Sequence, residues 1–338
     1  MLAAILGLSG LALTDDERAL FRGADPAGFV LFARNVQDKA QLRALTDSLR
    51  DLTGRADLPI LIDQEGGRVA RLRPPVWPEF PAPGRFAALY EIAPISAIEA
   101  ARANAEAIAI LLAEAGVNMN CLPLLDLPQP GAHDIIGDRA LGHEPMRVAA
   151  LGRATLDGLE AGGVLGIVKH IPGHGRAGAD SHEELPIVDA SAEELAVDLA
   201  PFRALRDAPI AMTAHLLYTA WDADNPATTS ARVIGEVIRG AIGFDGLLLS
   251  DDLAMAALTG TPGERAHAAI AAGCDLALHC SGVLEDGERV AERAGAISEA
   301  ARARLDRAMA RIAGKASAQG YEALAAKRDA LLAYAEDR

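Results

Sequence analysis

Cysteine is scarce in this 338-residue chain, with only Cys121, Cys274 and Cys280. Three thiols cannot build a disulfide framework, and their spacing lacks the pairing of a zinc site. They read as reduced, buried thiols of a cytosolic protein. Basic residues are also in deficit, since 32 Lys+Arg face 47 Asp+Glu and leave a formal charge of −15. That balance argues against a nucleic-acid surface and against adhesion to anionic lipid. Long apolar runs are missing as well. The best candidate, Met1–Leu13, is too short to span a bilayer. It has no positive flank and runs straight into Thr14-Asp-Asp-Glu17, a helix N-cap followed by acidic first-turn residues. It reads as a buried first strand, and the protein as cytoplasmic. Ser/Gly linkers, repeats and low-complexity blocks are absent, so one domain is expected over residues 1–338. With 51% apolar and 23% charged residues, the composition is that of a folded globular protein, which excludes disorder for most of the chain.

What is present is a series of short apolar runs bounded by turn signals. Eight stand out, at Leu2–Leu8, Gly28–Phe32, Pro59–Ile62, Val117–Leu122, Gly166–Val168, Pro209–Thr213, Gly246–Leu249 and Asp275–Leu278. Continuous apolar runs suit parallel strands buried on both faces. Val117–Leu122 departs from this, because Asn118 and Asn120 alternate with apolar residues. Helical spacing of apolar residues fills the gaps, at Lys39–Leu52, Ile98–Ala115, Met146–Ala161, Ala192–Ala208, Ser230–Ala241 and Gly263–Ala272. Eight strands alternating with helices predict an α/β fold, a closed (β/α)8 TIM barrel. An open dinucleotide-binding sheet would need a glycine fingerprint after the first strand, where this chain has Gly7-Leu-Ser-Gly-Leu. The segment Ser281–Arg338 is expected to be a helical extension. The five-proline stretch Ala70–Ile92 is expected to be an ordered loop at the barrel mouth.

Barrel active sites lie at the C-terminal strand ends, and the ends here are polar. Strand three leads to Asp63 in Asp63-Gln-Glu-Gly-Gly-Arg68-Val-Ala-Arg71, and strand four to Asp126 with Asp138-Arg139 beyond it. Lys169-His170 follows strand five, His215 strand six, Ser250-Asp251-Asp252 strand seven and His279 strand eight. Charges on so many sides of one barrel converge on a polar pocket. The densest patch, Lys169-His-Ile-Pro-Gly-His174-Gly-Arg-Ala-Gly-Ala-Asp180-Ser-His182, carries three of the eight histidines. His170 and His174 have the four-residue spacing of a zinc helix, but Pro172-Gly173 between them breaks such a helix. No metal and no cofactor are expected. Asp180 and His182 suit a dyad in which the carboxylate fixes the imidazole tautomer, and an imidazole titrating near neutrality can give and take a proton in one turnover. Ser181 has neither a nucleophile elbow nor an oxyanion hole around it. Asp251, a carboxylate at a strand end, can attack an electrophilic carbon. A carboxylate nucleophile opposite an acid/base is the arrangement of a retaining glycosidase. Asp63, Arg71, Arg139, Lys169 and His170 would then clamp sugar hydroxyls.

The motif Lys169-His-Ile-Pro-Gly-His-Gly…Asp180-Ser-His182 resembles the signature of glycoside hydrolase family 3 β-N-acetylglucosaminidases. Asp63-Gln-Glu-Gly-Gly-Arg68 and Gly243-Phe-Asp-Gly-Leu-Leu-Leu-Ser-Asp251-Asp-Leu-Ala-Met255 resemble two further blocks of that family. The likeness runs from strand one to strand eight and is nearest to the bacterial cytoplasmic branch that recycles muropeptides. It implies Asp251 as nucleophile, His182 as acid/base and Asp180 as its partner, with sugar contacts from Asp63, Arg71, Arg139, Lys169 and His170. Asp252 is implied to be a neighbour only. Larger relatives have a second α/β domain that sometimes supplies the acid/base, whereas here the dyad would be internal. Asp138 stands before Arg139 where muropeptide enzymes often have Glu, and it is expected to keep the arginine oriented.

The expected activity is therefore exo-acting, retaining release of terminal N-acetylglucosamine from peptidoglycan-derived muropeptides. Two alternatives remain. Phosphate attack on the same β-linkage is eased by a neutral histidine in place of a second carboxylate, and a non-catalytic sugar-binding barrel would keep the pocket without needing both nucleophile and dyad. The partner expected is a small sugar, with no nucleic acid and no membrane. A monomer is the working expectation, while the aglycone and the tolerance for N-acetylgalactosamine stay open.

Overall fold

Apolar strands that cannot leave either face in water must be covered on both, and here they are. The computed structural model describes residues 1–336. Eight parallel strands close a barrel in chain order. They are β1 (Leu2–Gly7), β2 (Pro26–Leu31), β3 (Ile60–Ile62), β4 (Met119–Asn120), β5 (Leu165–Ile171), β6 (Ile210–Thr213), β7 (Leu247–Asp252) and β8 (Leu276–His279). The last pairs back to the first through Ala4↔Ala277, Ile5↔Leu278 and Leu6↔His279. All eight expected strands are present, within a few residues of their expected bounds.

β4 is only two residues long, and its asparagines explain the broken apolar pattern. Asn118 Oδ1 accepts from the Ile60 N–H at 2.8 Å while its Nδ2 donates to the Leu58 carbonyl at 2.9 Å. Asn120 makes the same pair of bonds with the backbone of Gln64, each 2.9 Å. Side-chain amides thus extend the ladder where the backbone pairing is short.

Two apolar groups result, one between the strands and the outer helices and one inside the barrel. The helix Glu299–Ala310 joins the inner group. Its Leu305, Ala308 and Met309, with Ile312 beyond, pack against Ala3, Leu165, Ile210, Leu247 and Leu276 at the strand starts. Arg304 fixes this plug by ion pairs to Asp245 (3.1 Å) and Asp275 (3.0 Å), just before β7 and β8. The helix Tyr321–Glu336 instead lies outside, where Arg328 meets Asn104 at 3.2 Å and stacks over Phe80. Within the segment Ser281–Arg338 helices occupy Leu284–Arg293, Glu299–Ala310 and Tyr321–Glu336 with non-helical connections between them, and Asp337 and Arg338 lie outside the described residues.

Two helical expectations need correction. Ala192–Ala208 is not one helix but two short ones, Ala192–Leu195 and Ala200–Ala204. Pro201 cannot donate to a carbonyl one turn back, and in the break Asp198 turns inward to an ion pair with Arg176 at 2.7 Å. Val233–Ile242 winds more widely than an α-helix and ends at Gly243, φ 78°. The proline-rich stretch after Ala70 is ordered and includes a helix at Gly84–Ile92 that apolar spacing did not reveal.

Candidate active site

At the C-terminal ends of the strands lies a cavity of ≈ 340 Å³, near the small end of the range for small-molecule sites. Asp63, Arg71, Arg139, Lys169, His170, His182 and Asp251 all line it. Asp180 sits behind His182, while His215 and His279 are buried outside the cavity.

One wall is a charge cluster. Asp63 bonds Arg71 at 3.0 Å and Lys169 at 3.3 Å. Glu65, which sequence reasoning missed, takes the Arg139 guanidinium on both oxygens at 2.9 Å each and Lys169 Nζ at 2.7 Å. Burial works against all four charges, but mutual attraction outweighs it, so both carboxyls are held below and Lys169 and Arg139 above their ordinary values. Asp138, expected to orient Arg139, instead pairs with Arg68 at 2.8 Å. The bidentate partner is Glu65, because its side chain enters the cavity wall from a tight hairpin. Gln64–Gly66 pairs with Val69–Ala70 across Gly66 (φ 101°) and Gly67 (φ 56°). A Cβ at Gly66 would lie 2.3 Å from the Pro81 carbonyl, so only glycine fits this turn. Gln64 Oε1 accepts from the Arg71 and Leu72 N–H groups at 2.9 Å each, which places Arg71 at the rim.

The next wall comes from β5. Lys169 and His170 are sequence neighbours that both line the cavity. The pairing of β5 with β6 shifts register between Val168 and Ile171, and the Lys169–His170 peptide is cis. His170 Nδ1 donates to Asp126 Oδ2 at 2.8 Å, and the N–H groups of His170 and His174 donate to Asp126 Oδ1 at 3.1 and 2.6 Å. Burial opposes the charge on Asp126, but the His170 imidazole and these donors prevail and hold the carboxyl at about 2. Asp126 therefore orients His170 instead of meeting a ligand.

The dyad stands on the loop beyond. Asp180 Oδ1 accepts from His182 Nδ1–H at 2.7 Å and from the His182 N–H at 2.9 Å. An ionised carboxylate only accepts, so Nδ1 carries the proton and Nε2 is left free. The His182 side chain is 63% exposed, against 17% for Asp180. The loop is tied down by Ser181, whose Oγ lies 3.3 Å from His174 Nε2 and whose carbonyl accepts from the Ala257 N–H at 3.2 Å. Ser181 is buried and engaged, which fits the reading that it is no nucleophile.

At the floor, Asp251 Oδ1 accepts from the Asp252 N–H at 2.8 Å. Burial works against its charge, but His170, His215, that N–H and Lys169 hold the carboxyl below its ordinary range. Asp252 is differently used, its Oδ1 accepting from the Ala254 and Cys280 N–H groups at 2.9 and 3.0 Å. Among the described residues no three His, Cys, Asp or Glu side chains are grouped so as to hold a metal ion, and no helix is long and apolar enough to cross a membrane. An ionised carboxylate and a hydrogen-bonded imidazole that line one polar cavity are groups that can carry out double displacement at a sugar carbon.

Residues 5–314 match the N-terminal domain of glycosyl hydrolase family 3. The chain is 42% identical over 282 residues to a β-hexosaminidase of Alkalilimnicola ehrlichii, covering 82% of this chain and 80% of that protein. A β-hexosaminidase of Bordetella avium is 38% identical over the same length and the same shares. Among solved structures, NagZ of Neisseria gonorrhoeae in complex with N-trifluoroacetyl-D-glucosamine superposes with a TM-score of 0.84 at 30% identity, covering 98% of this chain and 96% of that one. A family 3 β-N-acetylglucosaminidase of Paenibacillus sp. gives 0.81 at 34% identity, covering 97% of this chain and 61% of the larger one. Barrel, site and relatives agree, and the chain belongs to glycoside hydrolase family 3.

Proposed function

We propose that the protein is a retaining exo-β-N-acetylglucosaminidase that releases terminal N-acetylglucosamine from peptidoglycan-derived muropeptides in the cytoplasm. The observation that carries this reading is the 2.7 Å Asp180–His182 bond on a loop whose imidazole lines the same cavity as the Asp251 carboxylate. Asp63, Arg71, Arg139, Lys169 and His170 hold the sugar hydroxyls through fixed donors and acceptors. The free oxygen of Asp251 attacks the anomeric carbon as the glycosidic C–O bond breaks, and protonated His182 gives its Nε2 proton to the departing oxygen. In the second half, neutral His182 takes a proton from water as that water displaces the Asp251 ester. Asp180 stabilises the imidazolium without touching substrate. The names of the relatives support a 2-acetamido sugar in the cavity.

A panel of chromogenic β-GlcNAc, β-GalNAc and β-glucoside substrates tests the reading. N-acetylglucosaminide should be preferred over glucoside by kcat/KM, since a buried polar site rejects analogues that leave its groups unpaired. Equal rates would sink the proposed substrate class. Turnover with and without added phosphate separates hydrolysis from phosphorolysis, and the product in both cases should be water-derived N-acetylglucosamine.

A further inference from the structure

Behind the nucleophile runs a chain of buried polar side chains, none of which lines the cavity. The Asp251 N–H donates to Thr213 Oγ1 at 3.3 Å, and the Thr213 and Thr228 hydroxyl oxygens are 2.7 Å apart. Thr228 Oγ1 is in turn 2.7 Å from His215 Nδ1, and His215 Nε2 is 3.0 Å from the Asp252 carbonyl. All three side chains are fully buried and none lines the cavity. A carbonyl only accepts, so His215 Nε2 carries the proton, and in the neutral imidazole Nδ1 accepts. Burial favours that neutral form and pulls the His215 pKa below its ordinary value. Thr228 then gives its single proton to His215 and receives that of Thr213. The Ala214 carbonyl, 3.1 Å away, is the more distant acceptor.

The bonds run in one direction and close a ring on the Asp251–Asp252 backbone. Enclosed by that ring is the peptide joining the two aspartates, whose N–H donates to Asp251 Oδ1 at 2.8 Å. Pinning the N–H before this peptide and the carbonyl after it fixes the direction in which its own N–H points. Oδ1 is thereby held, while Oδ2, in a residue that lines the cavity, receives no hydrogen bond from the described residues. We propose that Thr213, Thr228 and His215 form a positioning ring for the nucleophile, which selects the attacking oxygen of Asp251 and holds it in line with the anomeric carbon. This rests on Asp251 being the nucleophile, as argued above. The ring touches neither substrate nor reacting atoms, so its loss should appear in the chemical step and not in sugar binding.

The test follows covalent trapping by a 5-fluoro N-acetylglucosaminyl fluoride, with mass spectrometry of the labelled peptide and the trapping rate measured against reagent concentration. Thr228→Val, nearly the same shape without the hydroxyl, should slow maximal trapping by about 10- to 100-fold, the scale expected for small misplacement of a reacting group. The half-saturating concentration should stay within about threefold of wild type, the signature of an interaction made only in the transition state. Thr228→Ser keeps the hydroxyl and should restore the rate, and Thr213→Val should reproduce the defect independently. A Thr228→Val/His215→Asn double variant should be no slower than the worse single variant, because the ring acts as a unit. If wild type labels Asp251 while Thr228→Val and Thr213→Val trap at the wild-type rate, the ring is overturned and the nucleophile stands. A defect confined to half-saturation, or one that Thr228→Ser fails to rescue, also overturns it. If wild type is labelled elsewhere than Asp251, the proposed mechanism itself fails.

Discussion

Glu65 grips the Arg139 guanidinium with both carboxylate oxygens, 2.9 Å each, although 74 residues separate the two in sequence. The same carboxylate holds Lys169 at 2.7 Å, so one buried anion organises two of the cations proposed to bind sugar. Glu65→Gln keeps the shape and removes the charge, leaving Asp63 as the nearest carboxylate to Lys169. Breaking a buried pair from one side costs about 3–5 kcal/mol, so a lower melting temperature and a KM raised about tenfold or more are expected. A variant with wild-type KM would mean that Glu65 has no part in binding.

Asp251 and Asp252 are neighbours with separable roles. Asp251→Ala should lower turnover by about 10³-fold or more and, with only the Asp252 N–H losing its acceptor, should lower the melting temperature less than Asp252→Ala does. Asp252→Ala removes the acceptor of two backbone N–H groups, one at the exposed Ala254 and one at the buried Cys280, and an unsatisfied buried donor costs about 1–3 kcal/mol. It should therefore lose stability first. Kinetics and thermal melts on both variants check this, and a crippled Asp252→Ala beside a mild Asp251→Ala would reverse the assignment.

His182 matters in proportion to how poor the leaving group is. A sugar alkoxide needs a proton to depart, while a nitrophenolate leaves almost unaided. His182→Ala should damage hydrolysis of natural β-linkages far more than glycosylation by aryl glycosides. With aryl substrate a burst of phenolate followed by slow turnover is expected, and azide should speed the slow phase by attacking the ester. Asp180→Ala should act in the same direction less severely. Equal loss on both substrate types, with no burst and no rescue, would assign His182 to binding.

His174 should make the fold sensitive to mild acid. Burial, and then the neighbouring His170, lower its pKa from 6.5 to about 4. Between those values the unfolded chain takes up a proton that the folded chain does not, so stability is full above pH 6.5 and falls as pH drops toward 4. The loss is of order 3 kcal/mol at most. His215, lowered in the same direction, adds to the slope with the same sign. Urea unfolding at pH 7 and pH 5 should show a smaller difference for His174→Gln than for wild type. An unchanged difference would mean that His174 takes its proton in the fold as readily as in the unfolded chain.

The barrel was legible because its strands are covered on both faces and so are written as unbroken apolar runs. The same criterion stopped too early at β5 and β7. Both continue through Lys169–Ile171 and Ser250–Asp252, since backbone pairing persists where the side chains turn polar. The Asp180–His182 bond was legible because the two residues are two apart and bond locally. Glu65 was not, because its partners arrive from β5 and from the loop after β4, and no local pattern marks a residue whose role is to meet distant charges. Asp126 and His215 were visible as polar strand ends, but spacing does not distinguish a side chain that faces a ligand from one that braces its neighbour. The bends at Asp198 and the short β4 were hidden for a similar reason, since buried side-chain bonds there replace regular backbone pairing.

The plug formed by Leu305, Ala308, Met309 and Ile312 has a consequence for traffic through the site. With the bottom of the barrel sealed by apolar side chains, everything that enters by the mouth must leave by it. No glycan can thread along the barrel axis, and a substrate can approach only from the mouth face. In the double displacement proposed above, water reaches the sugar face opposite Asp251, on the His182 side, by the route that the departing group has vacated. Under that proposal, leaving group, incoming water and freed sugar all share one opening, a room with a single door.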